Sequence, residues 1–254
     1  MRLRILGCSG GIGGKLRTTS FLIDEDTLLD AGTGVCDLSL QEMCRIDRVF
    51  LTHSHLDHIV SIPFMLDSVA GIRNRPLTVY GLPETLETLQ QHIFNWKIWP
   101  DFAQIPDPVS PFVRYQPIAI GEKVVLNGGS IIALPANHVI AAVGYQLDSG
   151  AGSLVFSGDT TEQDEFWKII NKIKNLKHVI METAFSDSER ELAVRSKHLC
   201  PAMLGTELLK LEGRPDIHIS HLKPGESDLT MREITACVKD RNVQMLENGQ
   251  EFEF

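Results

Sequence analysis

Apolar and polar positions alternate from the first residues. Arg2 to Leu6 reads as a strand, and Phe21 to Ile23 and Thr27 to Leu29 are apolar runs set between Asp and Gly turn residues. Val49 to Leu51 is wholly apolar, the pattern of a strand buried on both faces, and it delivers the chain to Thr52. Leu77 to Tyr80 is a further strand, closed by Gly81. Pro83-Glu84 opens an amphipathic helix to about Phe94, since proline and early carboxylates suit a first helical turn. From Trp96 to Pro111, four prolines and three aromatic residues predict an irregular lid or connecting segment.

The second half repeats this style. Strands are predicted at Val113 to Tyr115, Lys123 to Leu126, Ser130 to Leu134, Ala142 to Leu147 and Ser153 to Phe156. Gln163 to Ile173 has helical spacing, Val179 to Glu182 is a strand, and Glu189 to Leu211 is largely helical. Asp216 to Ser220, a helix over Leu229 to Lys239 and a strand at Val243 to Leu246 complete the series. Strands grouped in each half with helices following predict an α/β fold. Two mixed β-sheets pack face to face with helices outside, a four-layer αβ/βα sandwich over a single domain, residues 1–254.

Composition changes this picture little. Of 254 residues, 43% are apolar and 22% charged, enough for an ordinary core. The longest apolar candidate, Ile131 to Leu147, is interrupted by Pro135, Asn137 and His138, so no membrane partner is expected. Five widely spread cysteines without a CxxC pair point to a reducing compartment, and a cytoplasmic location is expected. A net charge of −9 argues against a long nucleic acid as partner, because phosphate backbones are held mainly by clustered Lys and Arg. A small-molecule partner fits better, and a homodimer is allowed.

The chemistry concentrates in Thr52-His53-Ser54-His55-Leu56-Asp57-His58. Neutral imidazole and carboxylate are the ligands that zinc and similar metals prefer. Alternation on an extended segment puts His53 and His55 on one side. A turn at Leu56 would let Asp57 and His58 face a second ion.

The pattern His53-x-His55-x-Asp57-His58 resembles the signature of the metallo-β-lactamase superfamily, and further stretches follow in that superfamily's order. Leu28-Leu-Asp30-Ala-Gly-Thr resembles its early strand-turn motif, whose Asp supports the metal loop from behind. Pro135-Ala-Asn-His138, Phe156-Ser-Gly-Asp159 and Ile219-Ser-His221 resemble its later ligand positions. The resemblance implies that His53, His55 and His138 hold one metal, that Asp57, His58 and His221 hold another, and that Asp159 lies between them. The implied cofactor is a pair of divalent ions, zinc being expected and manganese or iron suited to the same ligands. For Asp159 a helix N-cap role is the competing reading.

Within the superfamily, His55-Leu-Asp-His-Ile-Val-Ser, Met181-Glu-Thr-Ala-Phe, Lys197-His198-Leu-Cys-Pro201 and His221-Leu-Lys223 resemble the class II cyclic-nucleotide phosphodiesterases. Pro63-Phe64 departs from their signature. The expected reaction is attack on a small phosphodiester, such as a 3′,5′-cyclic nucleotide, by a hydroxide shared between two metals. Asp57 would orient the hydroxide or take its proton. His198 would assist the departing oxygen, a structural role being its alternative. Trp96, Trp99 and Phe102 are lid candidates for a base, with core packing the favoured role.

Rival readings are a transfer-RNA 3′-processing nuclease, a lactone or thioester hydrolase, and a non-catalytic metal-binding protein. His138 followed by Gly144-Tyr145 resembles the nuclease group. Met181, where that group carries a His, does not. Gly7 to Lys15 fits neither a Walker loop nor a dinucleotide fingerprint. Its glycines are expected to let the backbone pass close to the metal loop.

Overall fold

The computed structural model describes residues 1–254. The first half contains β1 (Arg2–Gly7), β2 (Ser20–Ile23), β3 (Thr27–Leu29), α1 (Leu40–Arg45), β4 (Arg48–Phe50), α2 (Leu56–Ile59), α3 (Ser61–Val69), β5 (Leu77–Gly81), α4 (Pro83–His92) and β6 (Val113–Pro117). There follow β7 (Lys123–Leu126), β8 (Gly129–Pro135), β9 (Val143–Asp148), β10 (Ser153–Phe156), α5 (Glu165–Ile170) and β11 (Leu176–Glu182). The chain ends with α6 (Arg190–Ser196), α7 (Pro201–Leu208), β12 (Asp216–Ser220), α8 (Ser227–Cys237), β13 (Val243–Met245) and β14 (Glu251–Glu253). None of the helices is long and apolar enough to cross a membrane.

Two seven-stranded sheets result, ordered β14-β1-β2-β3-β4-β5-β6 and β13-β12-β11-β10-β9-β8-β7. Each is antiparallel at one end and parallel at the other, with the change at β3 in the first and at β10 in the second. Their apolar runs follow from burial on both faces. On β11, Val179 and Met181 pack outward against helices while Ile180 points between the sheets. Val49 and Phe50 divide in the same way on β4. Three apolar clusters fill the gaps between four layers, so the αβ/βα sandwich is the observed architecture.

Several elements differ from the sequence reading. Glu189 to Leu211 is broken, because Lys197 adopts a left-handed conformation (φ 53°) and α7 restarts at Pro201. The sequence reading gives no helix before Pro83, so α1, α2 and α3 are additions, although in α3 Ile62, Met65, Leu66 and Val69 have helical spacing and are buried. β14 crosses to the first sheet and pairs with β1. Three residues are too few to show a period. Of the lid candidates, Phe102 is buried beside Phe94 and Phe112 and Trp99 packs on Phe64. Trp96 alone is well exposed.

Candidate metal centre

The site is assembled from the carboxyl ends of strands in both sheets. After β4 the chain bends at Thr52 and continues to His55, which is extended and serves as N-cap of α2. Asp57 and His58 then fall in that helix's first turn. His138 follows β8, Asp159 follows β10, and His221 follows β12 in a left-handed conformation (φ 65°). Close packing supports that strained residue: a Cβ on Gly10 would lie 2.4 Å from the His221 carbonyl oxygen and 2.9 Å from its ring. The glycine loop therefore does pass close to a candidate ligand, but to His221 rather than to the His53–His58 loop. At Gly32 the same test meets the Asp57 carbonyl at 2.3 Å.

All seven residues singled out from the sequence come together. Ligand atoms of His53, His55, His138 and Asp159 lie within 4.8 Å of one another, as do those of Asp57, His58 and His221. Asp159 adjoins both sets, with Oδ2 3.7 Å from His53 Nε2 and 3.3 Å from His58 Nε2, and Oδ1 3.4 Å from His221 Nδ1. It does not cap the following helix, whose N-cap is Asp164. His138 Nε2 and His55 Nδ1 stand 3.2 Å apart, near the edge length of about 3.3 Å that two nitrogens share on a tetrahedral zinc.

Within the cluster several polar atoms have no partner from the protein. His53 Nε2, His58 Nε2, His221 Nδ1 and Asp159 Oδ1 are buried without a hydrogen-bond partner, although nearly all buried polar groups have one. Nitrogen and carboxylate oxygen converging in this way fit divalent ions. Burial pushes His53 and His55 below the ordinary imidazole range, His138 down to about 4 and His221 to about 3, which keeps them in the neutral, ligating form. Burial also pulls on His58, but the Asp159 and Asp30 carboxylates outweigh it and raise the group. Desolvation would raise Asp159. The surrounding His221 and His58 imidazoles instead hold it well below the usual carboxylate range.

Behind this cluster, buried Asp30 accepts hydrogen bonds from His58 Nδ1 at 2.7 Å and from the Thr52 backbone N–H and hydroxyl, both at 2.8 Å. His138 Nδ1 donates to the Lys197 carbonyl (3.1 Å), while the Lys197 ammonium donates to the His138 carbonyl (3.1 Å) and to Asn137 Oδ1 (3.0 Å). The left-handed turn at Lys197 thus locks the His138 loop to the segment that carries His198.

His198 lies in the loop before α7, whose N-cap is Cys200. Its ring stacks on His221 at 5.2 Å, and its Nδ1 is 2.8 Å from Glu182 Oε1. Burial lowers the imidazole, but Glu182 outweighs it, so the pKa stands above the ordinary value. Glu182, Thr52 and Lys197 were given no role from the sequence. For Glu182 a signal existed, a carboxylate ending the apolar run Val179 to Met181 and now fully buried.

Comparison with known proteins bears on the fold and the family. A family model described as the beta-lactamase superfamily domain matches residues 26–243. A 3′,5′-cyclic-nucleotide phosphodiesterase of Aliivibrio fischeri is 26% identical over 272 residues, covering 86% of this chain and 80% of that protein. A ribonuclease Z of Haloarcula marismortui is 30% identical over 177 residues, 65% of this chain and 52% of that one. The crystal structure of unliganded yeast PDE1 superposes with a TM-score of 0.80 at 20% identity, covering 98% of each chain. With the matched domain spanning both sheets and a His/Asp cluster suited to divalent ions at their strand ends, the chain belongs to the beta-lactamase superfamily and is a metal-dependent hydrolase of the metallo-β-lactamase fold.

Proposed function

We propose that the chain is a phosphodiesterase for small phosphodiesters, with 3′,5′-cyclic nucleotides as the substrate class. The observation that carries this is the buried His198–Glu182 pair set against the double cluster, which adds a proton donor to a centre suited to two cations. In this reading His53, His55, His138 and Asp159 hold one ion, and Asp57, His58, His221 and the same Asp159 hold the other. Bound divalent ions would lower the pKa of a water and neutralise charge on the phosphoryl oxygens.

The chain's own groups would then manage position and protons. Asp57, whose side chain is 28% exposed whereas Asp159 is nearly closed off, would orient the attacking water and accept its proton. The water oxygen bonds to phosphorus while the bond to the ribose oxygen breaks in line. His198, charged through Glu182, would deliver a proton to that departing oxygen. Apolar side chains exposed next to the cluster, Leu56 beside Asp57 and Val139 and Ile140 beside His138, offer non-polar surface to a base. The phosphodiesterase named among the relatives supports the same class over most of the chain.

A ribonuclease is the second reading, favoured by the ribonuclease Z match and opposed by the acidic charge. The test is hydrolysis of 3′,5′-cyclic AMP, bis-(p-nitrophenyl) phosphate, a pre-tRNA and an acyl lactone by protein of verified metal content. Turnover of the cyclic nucleotide without RNA cleavage is expected. Cleavage of the pre-tRNA alone would establish the second reading, and lactone turnover without either diester would overturn both.

A further inference from the structure

We propose that the Thr52 hydroxyl is a positioning group that extends the hold of Asp30 to a second imidazole and selects which ring nitrogen of His53 faces the metal centre. The inference rests on reading the cluster as metal-binding. Thr52 is fully buried, with Oγ1 2.8 Å from Asp30 Oδ2, 3.0 Å from His53 Nδ1 and 3.3 Å from His58 Nδ1. A carboxylate offers only acceptors, so the single hydroxyl proton goes to Asp30. Oγ1 can then only accept from His53, which must carry its proton on Nδ1. That leaves the Nε2 lone pair, 3.7 Å from Asp159 Oδ2 and otherwise unpartnered, facing the cluster. Asp30 orients His58 directly through the 2.7 Å bond to Nδ1. One carboxylate thus fixes two imidazoles, one of them through a hydroxyl relay.

The rest of the residue ties this relay to the opposite sheet. The Thr52 carbonyl accepts from Val143 N–H of β9 at 2.9 Å, and its N–H donates to Asp30 Oδ1. Its methyl lies against Gly158, where an added Cβ would be 3.3 Å from Thr52 Cγ2, and Gly158 immediately precedes Asp159. Hydroxyl and methyl face different tasks, so two near-isosteric variants separate them. Valine keeps the shape and removes the relay, whereas serine keeps the relay and removes the methyl.

The experiment is chelator competition with zinc as the probe metal, on wild type, Thr52→Val and Thr52→Ser. Long-range ¹⁵N–¹H NMR of the metal-free wild type reads the His53 tautomer alongside. Removal of a group that orients a metal-ligating histidine typically weakens binding, so Thr52→Val is expected to lose about 10–100-fold in zinc affinity. Thr52→Ser should stay within about threefold of wild type, because it keeps that orienting group. Equal affinity in Thr52→Val and wild type, or a His53 proton on Nε2, overturns the proposal while leaving the metal reading intact. A wild type that takes up no zinc, manganese or iron overturns the metal reading and the proposal with it. Should Thr52→Val fail to fold, the tautomer measured in the wild type still decides.

Discussion

Replacing Glu182 with Gln isolates the proton-delivery role assigned to His198. The amide keeps the shape and can still accept a hydrogen bond from His198 Nδ1, now 2.8 Å from Oε1, but it no longer stabilises a charged imidazole. Two unit charges about 4 Å apart attract by about 4 kcal/mol at the effective dielectric of protein sites. Desolvation takes part of that back. That His198 nevertheless stands above its ordinary pKa, despite burial, shows the carboxylate prevailing. At about 1.4 kcal/mol per decade, a loss of roughly 3–4 kcal/mol corresponds to about 10²–10³ in kcat, within the range for general acid catalysis. The assay compares two substrates. The ribose oxygen of 3′,5′-cyclic AMP is a poor leaving group that needs the proton, whereas p-nitrophenolate does not. Glu182→Gln should therefore lose about 10²–10³ in kcat on the cyclic nucleotide, with bis-(p-nitrophenyl) phosphate nearly spared and metal content unchanged. Equal losses on both substrates would refute the reasoning, since they would mean that Glu182 supports the site as a whole.

Asp159→Asn removes the carboxylate shared by both halves of the cluster. Bound metal should fall from about two ions per chain to one or fewer, with most turnover lost, as read by elemental analysis and cyclic-nucleotide hydrolysis. Wild-type turnover at full metal content would contradict the assignment. Gly10→Ala drives a Cβ to 2.4 Å from the His221 carbonyl, and overpacking of this kind costs about 1–3 kcal/mol. Calorimetry should show a Tm lower by roughly 2–10 °C, and an unchanged Tm would mean that the two loops do not meet. Glu42 is held down to about 2 by its bonds to Arg4 and then to Ser39, so its contribution is complete above its ordinary pKa and is lost as pH falls towards 2. Thermal melts of Glu42→Gln should therefore sit below wild type by the equivalent of at most about 1 kcal/mol at pH 7. The gap should close in acid, and one that widened there would reverse the sign of the argument.

How much was legible depends on where each signal is stored. Buried strands such as Val49 to Leu51 and Ser153 to Phe156 announce themselves because both faces are apolar, and helix α4 because Pro83 opens it. The break at Lys197 was hidden, since a lysine carries no preference for the left-handed region and is held there by its bonds to Asn137 and His138. Likewise Glu251 to Glu253 becomes a strand only because β1 offers an unpaired edge.

The local run His53 to His58 declares metal chemistry unaided, because three imidazoles and a carboxylate in six residues have few other uses. His138, Asp159 and His221 are isolated letters that a resemblance can nominate but that only the meeting of two sheets brings within one coordination distance. The parts that tune the site lay furthest from view. Glu182, Thr52 and Lys197 act through hydrogen bonds to His198, Asp30 and His138, residues that lie 16, 22 and 59 positions away in the chain. Sequence thus determined which chemistry the chain could hold, through residue types and their local spacing. Tertiary structure decided which nitrogen, oxygen and proton face one another, because those directions exist only once both sheets have packed.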